Sequence, residues 1–454
     1  MQCSFRFQIA LCLSLAAFNC ARPQFIEIDT QPAPNFDEGF RQFCSIELAN
    51  GNHERNAVLC AFYGDYRNAI AQATQRAFPA PDPFSSIQVA TSDMEREVML
   101  EKAQQLLNNP DQSEASRQMA ESLLAVLSSP ASVEAVFEGA RPVDALEYIL
   151  SRAGDYHFTL INEAHFSSQH RNFTHRLLKP LWEQGYRYLA LEALGYQDSL
   201  LQERGYPVRT TGYYTNDAHF GNLIRAALQI GYTLAPYETQ SPDKDGTERD
   251  RDQAQHILQR TWLKDKQGKV LVHAGYGHIR ETGSSQYEPM GFQLRKMANQ
   301  DILTIDQENM TPLDQADKTH PFYRFADSLF QINAPSVILN PAGQPIVEPV
   351  QQGAIDIHVY HPRTQFIDGR PDWMMQAGKA KVRIPEKLKP YEGHLIRVIR
   401  KGEGKNAVPV DQFVIDGEKV LLLPSGLYIA QIVDCEGSLV KAFEVRVGSG
   451  EAPE

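Results

Sequence analysis

The chain contains no Cys-x-x-Cys pair, and only six cysteines in 454 residues. That excludes a thiolate zinc site of the usual spacing and a thioredoxin-type redox centre. It has no run of Lys or Arg, and 44 basic residues stand against 56 acidic ones, for a formal net charge of −12. An acidic surface is repelled by phosphate backbones, so no nucleic-acid partner is expected. Beyond the first 20 residues no apolar stretch is long enough to cross a bilayer, which excludes a multi-pass membrane protein. Collagen-like and heptad patterns and internal repeats are missing as well. What remains is ordinary globular composition, 42% hydrophobic and 22% charged, with enough length for two or three domains.

The first residues, MQCSFRFQIALCLSLAAFNCARPQ, place one positive charge at Arg6 ahead of a short apolar run, Ile9 to Ala17. This run is too short to span and reads as a signal peptide over residues 1–21, cleaved after Ala16 or Ala17. Cys20 offers the alternative of lipidation, and only then is a membrane partner expected. The chain is therefore expected to be exported: periplasmic, secreted or lipid-anchored to the outer membrane. In an oxidising compartment Cys44 and Cys60, which bracket a polar loop, are expected to form a disulfide, leaving Cys435 without an obvious partner except Cys20.

Residues 22–90 comprise a Pro- and Asp-rich linker over 22–40 and the Cys44/Cys60 segment. Residues 91–340 form an α/β domain whose first part, 91–151, carries helical spacing as scaffold or lid. From about residue 154, β-rich runs (YHFTLI, YRYLALEAL, YTLAPYE, KVLVHAG, then DILTID) alternate with helical stretches, which predicts βαβ units and a mostly parallel sheet. Residues 341–454 read as a β-rich, immunoglobulin-like sandwich of short strands separated by turns. The predicted fold class is thus α/β, with a parallel βαβ core sheet, a helical N-terminal region and a C-terminal β-sandwich-like domain.

In parallel sheets chemistry gathers at the C-terminal strand ends, and there the unusual residues fall. The first strand ends in Asn162-Glu163-Ala164-His165, the second at Glu192, the third at Tyr237-Glu238, and the fourth in His273-Ala274-Gly275-Tyr276-Gly277-His278. Glu248-Arg249-Asp250-Arg251-Asp252 opens the helix between the third and fourth. Glu163 and His165 are two apart and share a face on an extended strand. Three carboxylates in one cleft raise one another's pKa unless a cation or an arginine, Arg249 or Arg251, relieves them. Two chemistries suit the set. Glu163, His165, Glu238 and His278 offer N and O ligands for a divalent metal such as zinc, manganese or cobalt. Alternatively His165 is a general base oriented by Glu163 and activates water. The plain alternatives are a solvated pair at a strand end for Glu163/His165, a solvated strand terminus for Glu192 and a charged helix cap for 249–252. His273 reads as structural, and His170, His175, His219 and His256 read individually as surface residues. Asn172-Phe173-Thr174 is a glycosylation pattern. Asp356 and His358, and the loop at Pro371-Asp372-Trp373, are candidates either to cover the cleft or to pack domains.

The order of these motifs resembles a superfamily that joins the erythromycin esterase-like proteins, the ChaN-like haem-uptake proteins and the Tiki/TraB proteins. The matching residues are Glu163 and His165, Glu192, Tyr237 and Glu238, Glu248-Arg249-Asp250 with Gln253-Ala254, and Gly275 with His278. The match covers about residues 154–306, and INEAHFSSQHRNFTHRLL is most like the ChaN-like opening. Asn162 stands where the family has glycine, Gln253 replaces methionine as a packing change, and Glu-x-His differs from the esterases' Glu-x-x-His. The resemblance implies a hydrolase, metal-dependent or using His/Glu to activate water, or in the ChaN branch a haem-binding protein with Tyr196, Tyr213, Tyr214 and Tyr276 as candidate ligands or pocket walls. The expectation is an exported bacterial hydrolase of ester or amide bonds in a small molecule or peptide. Its catalytic set is Glu163, His165, Glu192, Arg249, Asp250 and His278, and haem or iron binding is the alternative. Substrate identity and oligomeric state are not legible.

Overall fold

The computed structural model describes residues 23–30, 32–46, 52–76, 104–105, 107–108, 133–284, 287–315, 318–376, 378–417 and 419–448. The signal peptide with Cys20, and nearly all of the helical pattern over 91–132, lie outside the described residues.

Thirteen strands carry the argument: β1 (Gln24–Ile28), β2 (Phe158–Glu163), β3 (Tyr186–Leu191), β4 (Thr233–Pro236), β5 (Lys269–Gly275), β6 (Ile302–Asp306), β7 (Ile357–His358), β8 (Lys379–Arg383), β9 (Leu395–Arg400), β10 (Asp411–Val414), β11 (Val420–Pro424), β12 (Gly426–Val433) and β13 (Leu439–Val447). Strands β4-β3-β5-β2-β6-β7 form one six-stranded sheet, parallel throughout. Every residue of β2 is buried, as expected of a parallel strand covered on both faces. Helices Ser168–Glu183 and Ala218–Ile230 pack Leu177, Leu181, Leu223 and Ile224 with Ile161, Leu189 and Leu271 on one face. Helices Gly246–Arg260 and Met290–Ala298 pack Ala254, Ile257, Met290 and Leu294 with Phe158, Leu160 and Val270 on the other. Connections β2→β3→β4 run one way across the sheet over the first face, and β4→β5→β6 return over the second, as right-handed crossovers require. The strand ends around β5 are therefore where the winding reverses, the position at which such sheets open a crevice.

The C-terminal region is antiparallel. Strands β1-β13-β12-β9-β10 form a five-stranded sheet, and β8-β11 a two-stranded one. Val382, Leu421 and Leu423 from the smaller sheet share a core with Ile396, Val398, Ile432, Phe443 and Val445 from the larger.

Two expectations are overturned here, and one open alternative is resolved. Residues 24–28, read as part of a linker, form edge strand β1 and pair antiparallel with β13, Gln24 opposite Arg446 and Ile28 opposite Ala442. Cys44 bonds to Cys435, not to Cys60. Cys60 lies in helix His53–Phe62 and is buried as a free thiol, pushed up to about 12 by burial and by Asp65. A cysteine facing inward from a helix cannot meet one beyond the polar loop, whereas Cys44 ends helix Glu38–Cys44 beside the β12–β13 turn that carries Cys435. Finally, Asp356 and His358 extend the sheet: Asp356 Oδ2 accepts from Thr304 N at 2.9 Å, and His358 Nδ1 lies 2.8 Å from Asp306 Oδ2. They do not cover the cleft.

Candidate functional site

The parallel register puts Glu163 opposite Gly275 and Leu191 opposite His273, so the ends of β2, β3 and β5 coincide. Glu163 is buried and carries no water-facing oxygen. Its Oε2 accepts from Arg171 Nε at 2.7 Å and meets His273 Nε2 at 2.8 Å; its Oε1 accepts from Arg171 Nη2 at 2.8 Å and meets His165 Nδ1 at 3.1 Å. Burial raises its affinity for a proton, but the forked guanidinium of Arg171 and the two imidazoles outweigh this and hold the carboxyl well below the ordinary range. An ionised Glu163 cannot donate, so Nδ1 of His165 carries a proton and, in the neutral ring, Nε2 keeps its lone pair. No hydrogen bond within the described residues engages that Nε2.

Around His165 the site is aromatic. Tyr214 stacks on the imidazole with ring centroids 3.9 Å apart, and Tyr276 presents its edge at 4.8 Å. Tyr276 holds a left-handed φ of 46°, an uncommon conformation for a residue with a side chain. Its carbonyl accepts from Asn162 Nδ2 at 3.0 Å, and its hydroxyl donates to Glu54 at 3.1 Å. Asn162 ties β2 to this turn and to Asp306, and accepts from Gln307 N at 2.8 Å.

The second half of the site centres on Arg249. Its Nη2 donates to Glu192 Oε1 at 2.7 Å and to Glu238 Oε2, its Nε to Glu238 Oε1 at 3.0 Å, and its Nη1 meets His278 Nε2 at 2.9 Å. Glu192 Oε2 accepts from Gly275 N at 2.6 Å. Burial pushes Glu192 up, yet His278, His165 and Arg249 together leave it below its ordinary value. His278 Nδ1 lies 2.8 Å from Asp250 Oδ2. Burial alone would lower the pKa of His278, but Asp250 and Glu192 raise it above the ordinary imidazole value. The Arg249 N–H aimed at Nε2 opposes that proton, so in this arrangement Nδ1–H donates to Asp250 and Nε2 accepts.

Seven sequence-predicted residues thus come together, in different roles. His165, Glu192, Glu238, Arg249 and His278 lie half-buried at the strand ends around the buried Glu163, while Asp250 is fully buried and braces His278, Tyr287 and the N-terminus of helix 290–298. Arg251 is exposed and pairs with none of them. Gln253 does more than fill space, since its amide donates to both oxygens of Glu238 at 3.1 Å. His273, read as structural, touches Glu163 directly, and His170 and His219 are buried rather than on the surface. Asn172 is buried and bonded to Gln376, so its glycosylation pattern is not presented to solvent. Trp373 packs edge-on against Tyr66 and His219. Sequence reasoning missed Arg171, the buried counter-charge of Glu163, and Glu54 from the N-terminal helix. The signal for Arg171 was its place on the apolar stripe of its helix, in step with Thr174, Leu178 and Leu181.

Among the described residues no group of three or more His, Cys, Asp or Glu is arranged to hold a metal ion. Glu163 and Glu238 spend their oxygens on guanidinium, imidazole and amide groups, and His278 Nε2 faces Arg249. As arranged, Glu163, His165, Glu238 and His278 do not converge as one ligand set.

No family model and no curated protein matches the chain. Among solved structures, two described as bacterial protein toxins share 11% and 12% identity at a TM-score of 0.27, covering 61% and 67% of this chain and 66% and 68% of theirs. A third, described as the C-terminal region of Pasteurella multocida toxin with a thiol-protease-like catalytic triad, shares 11% identity at a TM-score of 0.28 over 79% of this chain. The match spans 57% of that third structure. Likeness at this level carries no argument about chemistry.

Proposed function

We propose that the chain is an exported hydrolase of ester or amide bonds in a small molecule or peptide, placed by the order of its motifs with the erythromycin esterase-like, ChaN-like and Tiki/TraB proteins. The observation that carries the reading is the Glu163–His165 pair: a buried, ionised carboxylate fixes the tautomer of a partly exposed imidazole whose Nε2 lone pair is unengaged. In the proposed reaction Nε2 takes a proton from water as that water attacks the carbonyl carbon, and returns it to the leaving group. Glu163 stabilises the imidazolium formed between the two transfers, as an orienting acid does in a catalytic triad. Three of Arg249's four terminal and Nε contacts go to carboxylates, and one Nη1 hydrogen remains for the developing oxyanion. The C-terminal antiparallel layers we read as an immunoglobulin-like sandwich.

The test is hydrolysis of a panel of aryl esters and peptide amides by the mature chain. His165→Ala is expected to abolish turnover while leaving the circular dichroism spectrum unchanged; retained turnover would sink the reading. Elemental analysis accompanies it. About one equivalent of zinc, manganese or cobalt, removable by chelator with loss of activity, would replace the imidazole-only mechanism by a metal-assisted one. Iron with a Soret band would favour haem binding instead.

A further inference from the structure

A second cleft, of about 120 Å³, lies between helices 168–183 and 218–230 on one side and the C-terminal strands on the other. Its charged lining is of one sign. His175 and His219 come from the two helices, Arg225 from the second, Lys379 from β8 and Arg400 from β9, and no acidic side chain lines it. Arg225 is forked on Glu403 at 2.8 and 2.6 Å, but Lys379 and Arg400 have no carboxylate partner among the described residues. Asp411, whose charge acts on Lys379, is taken by Arg370 at 2.5 Å.

His219 adds an unused donor. Asn172 Oδ1 accepts from Gln376 Nε2, so its amide N–H₂ points to His219 Nδ1 at 3.4 Å. Nδ1 then accepts and the proton sits on Nε2, which is buried without a partner. Buried donors are nearly always satisfied, and an exception calls for a missing group. Two unpaired cations and an unpaired N–H around one cleft call for a compact dianion. A planar guanidinium beside a lysine point charge suits tetrahedral phosphate oxygens.

We propose that this cleft binds a small soluble oxyanion of the phosphate class, inorganic phosphate or a phosphate monoester, held by Lys379, Arg400 and His219 between the α/β layer and the C-terminal sheets. Burial and then Lys379 push His175 down to about 4, consistent with a surplus of positive charge that a guest would balance.

The test is isothermal titration of the full chain with inorganic phosphate against chloride at matched ionic strength. One saturable site is expected in the wild type and in His165→Ala. Binding at least tenfold weaker is expected in Lys379→Met and in Arg400→Met, with unchanged circular dichroism. No saturable heat up to about 10 mM phosphate overturns the proposal, as does wild-type affinity in both cleft variants. Loss of binding in His165→Ala also overturns it, because it would place the anion in the other site.

Discussion

A methyl group on residue 275 would fall 2.4 Å from His165 Cε1, 2.6 Å from its Nε2 and 3.3 Å from Glu192 Oε2. Gly275 is therefore the floor on which the imidazole and the carboxylate rest. Gly275→Ala should displace His165 and lower turnover by roughly 10²-fold, the usual consequence of a misplacement near 1 Å, with little change in melting temperature. Steady-state kinetics beside a thermal melt check this. Arg171 tests the opposite balance. Arg171→Met leaves Glu163 buried without its main counter-charge and should lower stability by about 3–5 kcal/mol in urea unfolding. The residues legible in the sequence, Glu163, His165, Glu192, Glu238, Arg249 and His278, are polar groups at the abrupt ends of apolar runs. Arg171 and His273 were not legible. A cation in the second turn of a helix looks solvated until its tertiary partner is known, and His273 lies mid-strand, with its contact to Glu163 depending on the register between β2 and β5.

At the scale of elements, helix 168–183 links three polar systems: Arg171 to Glu163, Asn172 to the cationic cleft, and His170 to the far side of the sheet. His170 accepts from Ala164 N at 3.0 Å and lies against His361 with ring centroids 5.4 Å apart. Burial pushes His170 down to about 3 and holds His361 well below its ordinary value. Below about pH 6.5 the unfolded chain takes up protons that the folded one refuses. Stability should therefore fall as pH falls toward 3, by up to about 1.4 kcal/mol per pH unit for each imidazole. Urea midpoints at pH 7, 6 and 5 measure the slope, and His170→Asn should reduce it. Glu281 acts in the other direction. Burial and the neighbouring Asp356 push its carboxyl up to about 8, with Thr304 bridging the two. The folded chain keeps a proton that the unfolded chain loses above about pH 4.5, so stability declines as pH rises through that window, and Glu281→Gln should flatten the decline. Periodicity disclosed five of the six parallel strands because the central ones are dense apolar runs covered on both faces, and it missed the two-residue β7. It could not disclose β1, a short QFIEI segment whose half-exposed pattern acquires meaning only from its distant partner β13.

For the whole molecule, the Cys44–Cys435 bond joins residues 391 apart in sequence. Closing so long a loop restricts the unfolded chain strongly, worth about 4–6 kcal/mol in the chain-entropy account. Reduction, or Cys44→Ser, should lower the melting temperature by several degrees or more and should not depend on Cys60. Reading cysteines by proximity in sequence chose the wrong pair because a disulfide reports tertiary closure, which spacing does not encode. The bond also anchors the N-terminal helices, one of which supplies Glu54 to Tyr276, so the reduced protein should lose some turnover below its melting point.

The strand at residues 24–28 is synthesised long before the strand it pairs with, 439–447. No chain still emerging from a ribosome or a translocation channel can complete the five-stranded sheet, and Cys44 meets its partner only after some 390 further residues have arrived. Until then β13 and its edge are absent, Cys44 is open to wrong pairings, and Cys60, sixteen residues away, is the nearest wrong partner. A sheet closed by the first and last of its described strands makes that closure the step of biogenesis most exposed to error, and the one where a disulfide-exchange catalyst would accelerate maturation.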